Sequence, residues 1–131
     1  MQIDQDALID AAKRVRSNAH APYSGFYVGV AVLDENGDIH VGCNVENSSF
    51  PEGTCAEAVA IGAMISNGGK KIVAVAAVGG KSDLEDCAPC GGCRQRILEL
   101  ADENTQIIYM NAGEFENLSI DELLPASFRL K

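Results

Sequence analysis

Two short stretches hold most of the chemically capable side chains in this sequence. Thr54-Cys55-Ala56-Glu57 offers one thiol and one carboxyl two residues apart, and Pro89-Cys90-Gly91-Gly92-Cys93 offers two thiols three residues apart. Three sulfur ligands leave one position of a tetrahedral ion open, as a catalytic zinc requires and a closed structural zinc does not. Glu57 is near enough to serve the open position without being a ligand. One carboxyl beside a metal-activated water can do both base and acid work. Three thiolates on Zn²⁺ sum to about −1, which weakens the ion as a Lewis acid. Arg94, directly after Cys93, is a candidate to offset that charge, alongside helix dipoles.

Each piece has a plainer use. Thr54 and Glu57 form a T-x-x-E capping box. Cys90 and Cys93 alone fit a structural zinc site or a redox pair. Cys87-x-x-Cys90-x-x-Cys93 resembles part of an iron–sulfur pattern, but the bacterial ferredoxin run has Pro after its last Cys, and here Pro89 precedes Cys90. A closed structural site has no use for an acid beside its metal. Cys43 falls on a predicted strand and reads as buried and inert. His20 and His40 lack a partner at ligand spacing and read as surface or capping residues.

The elements that must position these groups follow from periodicity. Leu8, Ala11, Ala12, Val15 and Ala19 recur at helical spacing and predict a helix over 4–19, capped by Asp4 or Asp6 and ended by Pro22. Phe26 to Leu33 and Ile39 to Val45 predict a hairpin around Asn36-Gly37. A second helix runs from Thr54 to about Asn67 and is stopped by Gly68-Gly69; it is apolar almost all round, so it is buried in the fold or by oligomerisation. Ile72 to Val78 is an unbroken apolar run, the mark of a central strand covered on both faces. A third helix spans about Cys90 to Ala101, a strand Thr105 to Met110, and Ser119 with Glu122 opens a short helix that Pro125 ends. Both cysteine clusters therefore lie at helix N-termini, where the positive helix end lowers thiol pKa. The order predicts a layered α/β domain with a mixed sheet, an antiparallel hairpin followed by parallel strands.

Composition narrows the function. The 131 residues suit a single domain over 1–131, and 47% hydrophobic residues without Trp require a core of Ala, Val, Ile and Leu. No apolar run reaches the roughly 20 residues of a membrane span, and the N-terminus lacks signal-peptide character. The expectation is a cytoplasmic protein with no membrane partner. A net charge of −9 disfavours nucleic acid, which is bound through basic footprints. Five cysteines, an odd number, point to metal or redox chemistry rather than to a complete disulfide framework.

From about Ala21 to Phe128 the sequence resembles the cytidine deaminases of the short, homotetrameric, zinc-dependent type. The resemblance rests on Ala21-Pro22-Tyr23-Ser24 with Phe26, Gly42-Cys43-Asn44-Val45-Glu46-Asn47, Cys55-Ala56-Glu57, Pro89-Cys90-Gly91-Gly92-Cys93-Arg94-Gln95, and Leu123-Leu124-Pro125 with Phe128. It implies a three-layer α/β/α sandwich with a five-stranded mixed sheet, and hydrolysis of cytidine and deoxycytidine to uridine and deoxyuridine with release of ammonia. It implies one Zn²⁺ per subunit on Cys55, Cys90 and Cys93, with Glu57 as proton shuttle. Asn44 and Glu46 would bind the ribose, Phe26 would pack on the substrate, and the backbone of Cys55 and Ala56 would read the base. Phe128 would stack on the base from a neighbouring subunit, each site being shared between chains of a homotetramer.

Three positions depart from that family's pattern. Ala58 stands where Arg or Gln often hydrogen-bonds the thiolates, Phe50 stands where Tyr is common, and Cys87 is an extra thiol. Cys55-Ala56-Glu57 followed by Ala58-Val59-Ala60-Ile61-Gly62 also resembles the related blasticidin S deaminases. Another aminated heterocycle is thus the alternative substrate, and a structural zinc or iron–sulfur module the non-enzyme alternative.

Overall fold

The apolar run at Ile72 becomes β3 (Ile72–Gly80), the middle strand of a five-stranded sheet in the order β2-β1-β3-β4-β5. A computed structural model describes residues 2–130. β1 (Tyr27–Asp34) pairs antiparallel with both β2 (Ile39–Cys43) and β3. β4 (Gln106–Asn111) pairs parallel with β3, and β5 (Glu114–Leu118) returns antiparallel along β4.

Side chains of a strand alternate between faces, and β3 is buried on both. Val75 and Ala77 join a cluster with Ala60 and Met64 of α2 (Ala56–Ser66), Ile97 and Leu98 of α3 (Gly91–Leu100), and Ile120 and Leu123 of α4 (Ile120–Leu123). Ala74, Ala76 and Val78 pack with Leu8, Ile9 and Ala12 of α1 (Gln5–Arg16). One helix covers one face and three cover the other, giving the three layers. Each buried Val, Leu or Ile contributes about 1.5–3 kcal/mol.

Two glycines set how closely helices approach the sheet. A Cβ on Gly29 would stand 2.8 Å from Arg16 N and 2.9 Å from Arg16 Cβ, and nearer still to Ala12 O. A Cβ on Gly42 would stand 2.8 Å from Ala56 O and 2.9 Å from Val59 C, and nearer still to Ala60 N. α1 thus lies against β1, and α2 against β2, at distances no other residue allows.

Several boundaries differ from the sequence-based expectations. Asp4 caps α1 by accepting from Ala7 N at 3.1 Å, but α1 stops at Arg16 rather than residue 19. Ser17 N reaches back to Arg14 O, Asn18 N to Val15 O and Ala19 N to Arg16 O, a tightened run of turns well before Pro22. β5 is an addition to the strands read from periodicity. Its hairpin turns on Ala112 (φ 53°) and Gly113 (φ 82°), whose N–H groups donate to the Asp86 carboxylate at 2.8 and 2.9 Å. An alanine at positive φ is uncommon, so the turn carried no clear signal. The Ser119–Glu122 capping box is present with both hydrogen bonds.

Candidate metal centre and active site

Thr54 does not cap α2. Its backbone pairs with Val45, each N–H donating to the other's carbonyl at 2.8 and 3.0 Å, which closes the loop between them. This pairing delivers Cys55 to the N-cap of α2, where its side chain makes no capping hydrogen bond. Glu57 therefore has no capping box to complete. It turns inward and is 6% exposed. The reading of a Thr54 cap fails because Thr54 is held in extended backbone before the helix begins.

Cys90 occupies the N-cap of α3 and Cys93 sits buried in its first turn. The sulfurs of Cys55, Cys90 and Cys93 all lie within 4.8 Å of one another. Tetrahedral zinc with about 2.3 Å bonds to sulfur needs sulfurs roughly 3.8 Å apart, so small side-chain adjustments close the set. Two helix N-termini meet at these sulfurs. Backbone N–H of Cys93 holds the Cys90 thiol below its ordinary pKa against the opposing effect of burial, with help from Cys93's side chain and Gly92 N–H. Burial pushes Cys55 up, and proximity to Cys90 and Glu57 adds to that. Burial pushes Cys93 up strongly, with Glu57 and Cys55 contributing. Burial also raises the Glu57 carboxyl, opposed by its own backbone N–H, a hydrogen bond with Cys93, and the Arg96 charge. Three thiols and one carboxyl crowded together in this way match a dication of borderline softness, and Zn²⁺ fits the donor set.

Arg94, the cation singled out by sequence, is engaged elsewhere. Its guanidinium donates to Pro89 O and Leu123 O, both at 2.8 Å, and so ties the loop before Cys90 to α4. Arg96 is the arginine beside the sulfurs, with Nη1 3.7 Å from Cys93 Sγ. Cys87 stays outside the sulfur cluster. Its thiol packs where a Cβ on Gly79 would otherwise stand, next to the Phe26 ring, and burial raises its pKa to about 11. Packing against Gly79 accounts for this extra thiol.

The other predicted site residues flank the cluster. β2 stops at Cys43, short of the Val45 end expected for that strand, and Asn44 lies just beyond it. Asn44 Oδ1 accepts from Val28 N at 2.8 Å and its Nδ2 donates to Phe26 O at 2.9 Å, so the side-chain amide continues the ladder along β1. Glu46 accepts from Tyr23 N and Ser24 N at 3.0 and 3.1 Å and from the Ser24 hydroxyl. The Ser24 hydroxyl bond, against the opposing effect of burial, holds the Glu46 carboxyl below its usual pKa with help from those N–H groups. Tyr23, Ser24, Glu46, Asn47, Phe50 and Gly53 line an open cleft of about 400 Å³. No cysteine lines this cleft; it connects to the cluster along the chain through Gly53 and Thr54. Tyr23 and Phe50 meet edge to face across it, ring centroids 5.8 Å apart. Ala56 is buried at the head of α2. Phe128 is 70% exposed on a tail that Gln95 Nε2 fastens at Phe128 O.

His40 is not a surface or capping residue. Its Nε2 lies 2.7 Å from Asp34 Oδ2, and both side chains are almost fully buried.

An α/β sandwich with three cysteines and a buried acid at converging helix N-termini defines a class, the zinc-dependent hydrolytic enzymes. A family model described as the cytidine and deoxycytidylate deaminase zinc-binding region matches residues 2–110. A cytidine deaminase of Sporosarcina psychrophila is 38% identical over 128 residues, 96% of this chain and 92% of that protein. The crystal structure of cytidine deaminase from Burkholderia pseudomallei superposes with a TM-score of 0.86 at 38% identity, covering 96% of this chain and 100% of that one. A blasticidin-S deaminase of Bacillus cereus is 34% identical over 108 residues, 78% of this chain and 76% of that protein. The chain belongs to the cytidine deaminase family.

Proposed function

We propose that this protein hydrolyses cytidine and deoxycytidine to uridine and deoxyuridine, releasing ammonia. The observation that carries the reading is Glu57: a carboxyl buried in the first turn of α2, close to three convergent sulfurs. Zn²⁺ held by Cys55, Cys90 and Cys93 would supply a Lewis acid and a water acidified to near neutrality.

The remaining work falls to the chain. Replacing the C4 amine of cytosine by water requires a proton to leave the water, one to reach ring N3, and one to reach the departing amine. Glu57 is placed to hold and pass these protons one at a time. Its burial excludes bulk water and strengthens its electrostatic effect. Backbone N–H groups at the head of α2, around Cys55 and Ala56, face the base as donors. Phe26 supplies an apolar wall. Glu46 has acceptor capacity left after its bonds to Tyr23 and Ser24, and Asn44 retains one amide N–H; both suit sugar hydroxyls. The high exposure of Phe128, with Phe50 and Ile65 also exposed, supports a homotetramer in which Phe128 completes a neighbour's site. We place the enzyme in the cytoplasm, as five unpaired cysteines suit a reducing compartment.

Steady-state kinetics of zinc-loaded protein on cytidine, deoxycytidine, free cytosine and blasticidin S tests the substrate. The expected result is a kcat/KM at least tenfold higher for the two nucleosides. Preference for blasticidin S would transfer the reading to the other relatives, and turnover of none would refute it.

A further inference from the structure

Arg96 is exposed and one turn beyond Cys93 on α3, and its single side-chain hydrogen bond among the described residues goes to Cys93 Sγ. Residues at i and i+3 share a helix face, which places the guanidinium over the head of the helix. Arg96 Nη1 and Cys90 Sγ both lie beside the Gly92 backbone: a Cβ there would stand 3.5 Å from the first and 4.0 Å from the second, in ordinary contact with each. The guanidinium thus overlies the bare Gly92 backbone, near Cys90 and bonded to Cys93. Arg94 is committed to two carbonyls, and the Ala58 side chain at the other helix head has no hydrogen-bonding group.

We propose that Arg96 is the charge-compensating residue of the metal centre, its guanidinium offsetting the surplus negative charge of the three thiolates through Cys93 and Cys90. The inference rests on the zinc reading above. Three thiolates on a dication leave about −1, and one guanidinium brings the site near neutrality. Hydrogen bonds to ligand sulfur also draw electron density from the metal and tune its acidity. Arg96 acts through the ligands rather than on substrate, so it is a positioning residue. Its exposure screens the interaction well below the buried limit. At roughly 5 Å in a medium between protein surface and water, the charge changes zinc affinity by about tenfold.

The test is chelator competition on the zinc-loaded full chain and on Arg96→Ala, Arg96→Gln and Arg96→Lys, with the thermal midpoint of each metal-free form as control. The expected pattern is about tenfold weaker zinc binding for Ala and Gln, near-parental binding for Lys, and unchanged metal-free stability. In the cobalt-substituted proteins, the thiolate-to-metal charge-transfer band should move to longer wavelength for Ala and Gln alone. Parental zinc affinity in the Ala variant would overturn the proposal. So would a Lys variant as weak as Ala, because charge would then not be what matters. Failure of the parent chain to take up zinc would instead overturn the metal reading on which the inference rests.

Discussion

Gly42→Ala should damage the site from a distance, and Gly29→Ala should not. Both substitutions insert a methyl between a helix and a strand that already touch. At Gly42 the added Cβ meets Ala56 O at 2.8 Å and Val59 C at 2.9 Å, with Ala60 N closer. Unstrained contact needs about 3.5 Å or more, so α2 must move outward by on the order of 1 Å. Overpacking of this kind costs about 1–3 kcal/mol. At Gly29 the methyl meets Arg16 N at 2.8 Å and Ala12 O closer still, so α1 is displaced at a similar cost. The two differ in cargo. α2 carries Cys55 at its N-cap and Glu57 in its first turn, whereas α1 carries none of the proposed site residues. A shift of about 1 Å at reacting groups can lower turnover by roughly 10²-fold. Urea denaturation should therefore show both variants destabilised. Zinc content and kcat per zinc, measured at a temperature where both remain folded, should fall only in Gly42→Ala. Equal kcat per zinc in the two variants would refute the claim that the α2–β2 contact sets the site geometry.

Two further predictions concern stability and metal identity. Burial works to raise the Asp34 carboxyl but is outweighed by its bond to His40 and the N–H groups of Asp38 and Asn36, so its pKa in the fold lies below the ordinary value. A depressed carboxyl pKa gives stability that is present above the unfolded pKa of about 3.9 and is lost as pH falls through the lower folded value. Asp34→Asn should cost about 1–3 kcal/mol at pH 7, and its gap to the parent should begin to narrow below about pH 4 and close only below the lower folded value; an unchanged gap in urea midpoints from pH 7 to pH 3 would contradict this. Cys87→Ser should keep one zinc per chain and no iron by metal analysis, since Cys87 lies outside the three-sulfur set; loss of the metal would reopen the iron–sulfur alternative.

The groups proposed to do the chemistry were legible because each sits at a helix head with a local signal. Cys55, Cys90 and Cys93 converge as the spacing and the family resemblance implied, and Glu57 turns inward. The central strand was legible because an unbroken apolar run has few other uses. What escaped was set by longer-range backbone pairing. Thr54 looked like a cap until Val45 claimed its backbone. Asn44 looked only like a ribose contact, but the ladder of β1 also uses its amide. β5 alternates weakly, with charged Glu114 and Glu116 around half-buried Phe115, and its turn depends on Asp86 from another loop. Arg94 and Arg96 are two residues apart, and a helix sends such side chains to different faces. Only the packing of α4 shows which arginine is spent. His40 likewise gained its partner from the other side of a turn.

Glu57→Gln tests the central claim most directly. The change keeps size and polarity but removes the group that moves protons. The quantity to measure is uridine formed from cytidine per bound zinc, beside the parent. A loss of at least 10²-fold, the lower end of what a positioned acid–base group supplies, with one zinc per chain and an unchanged fold, is the predicted result. Near-parental turnover at full zinc content would contradict the account.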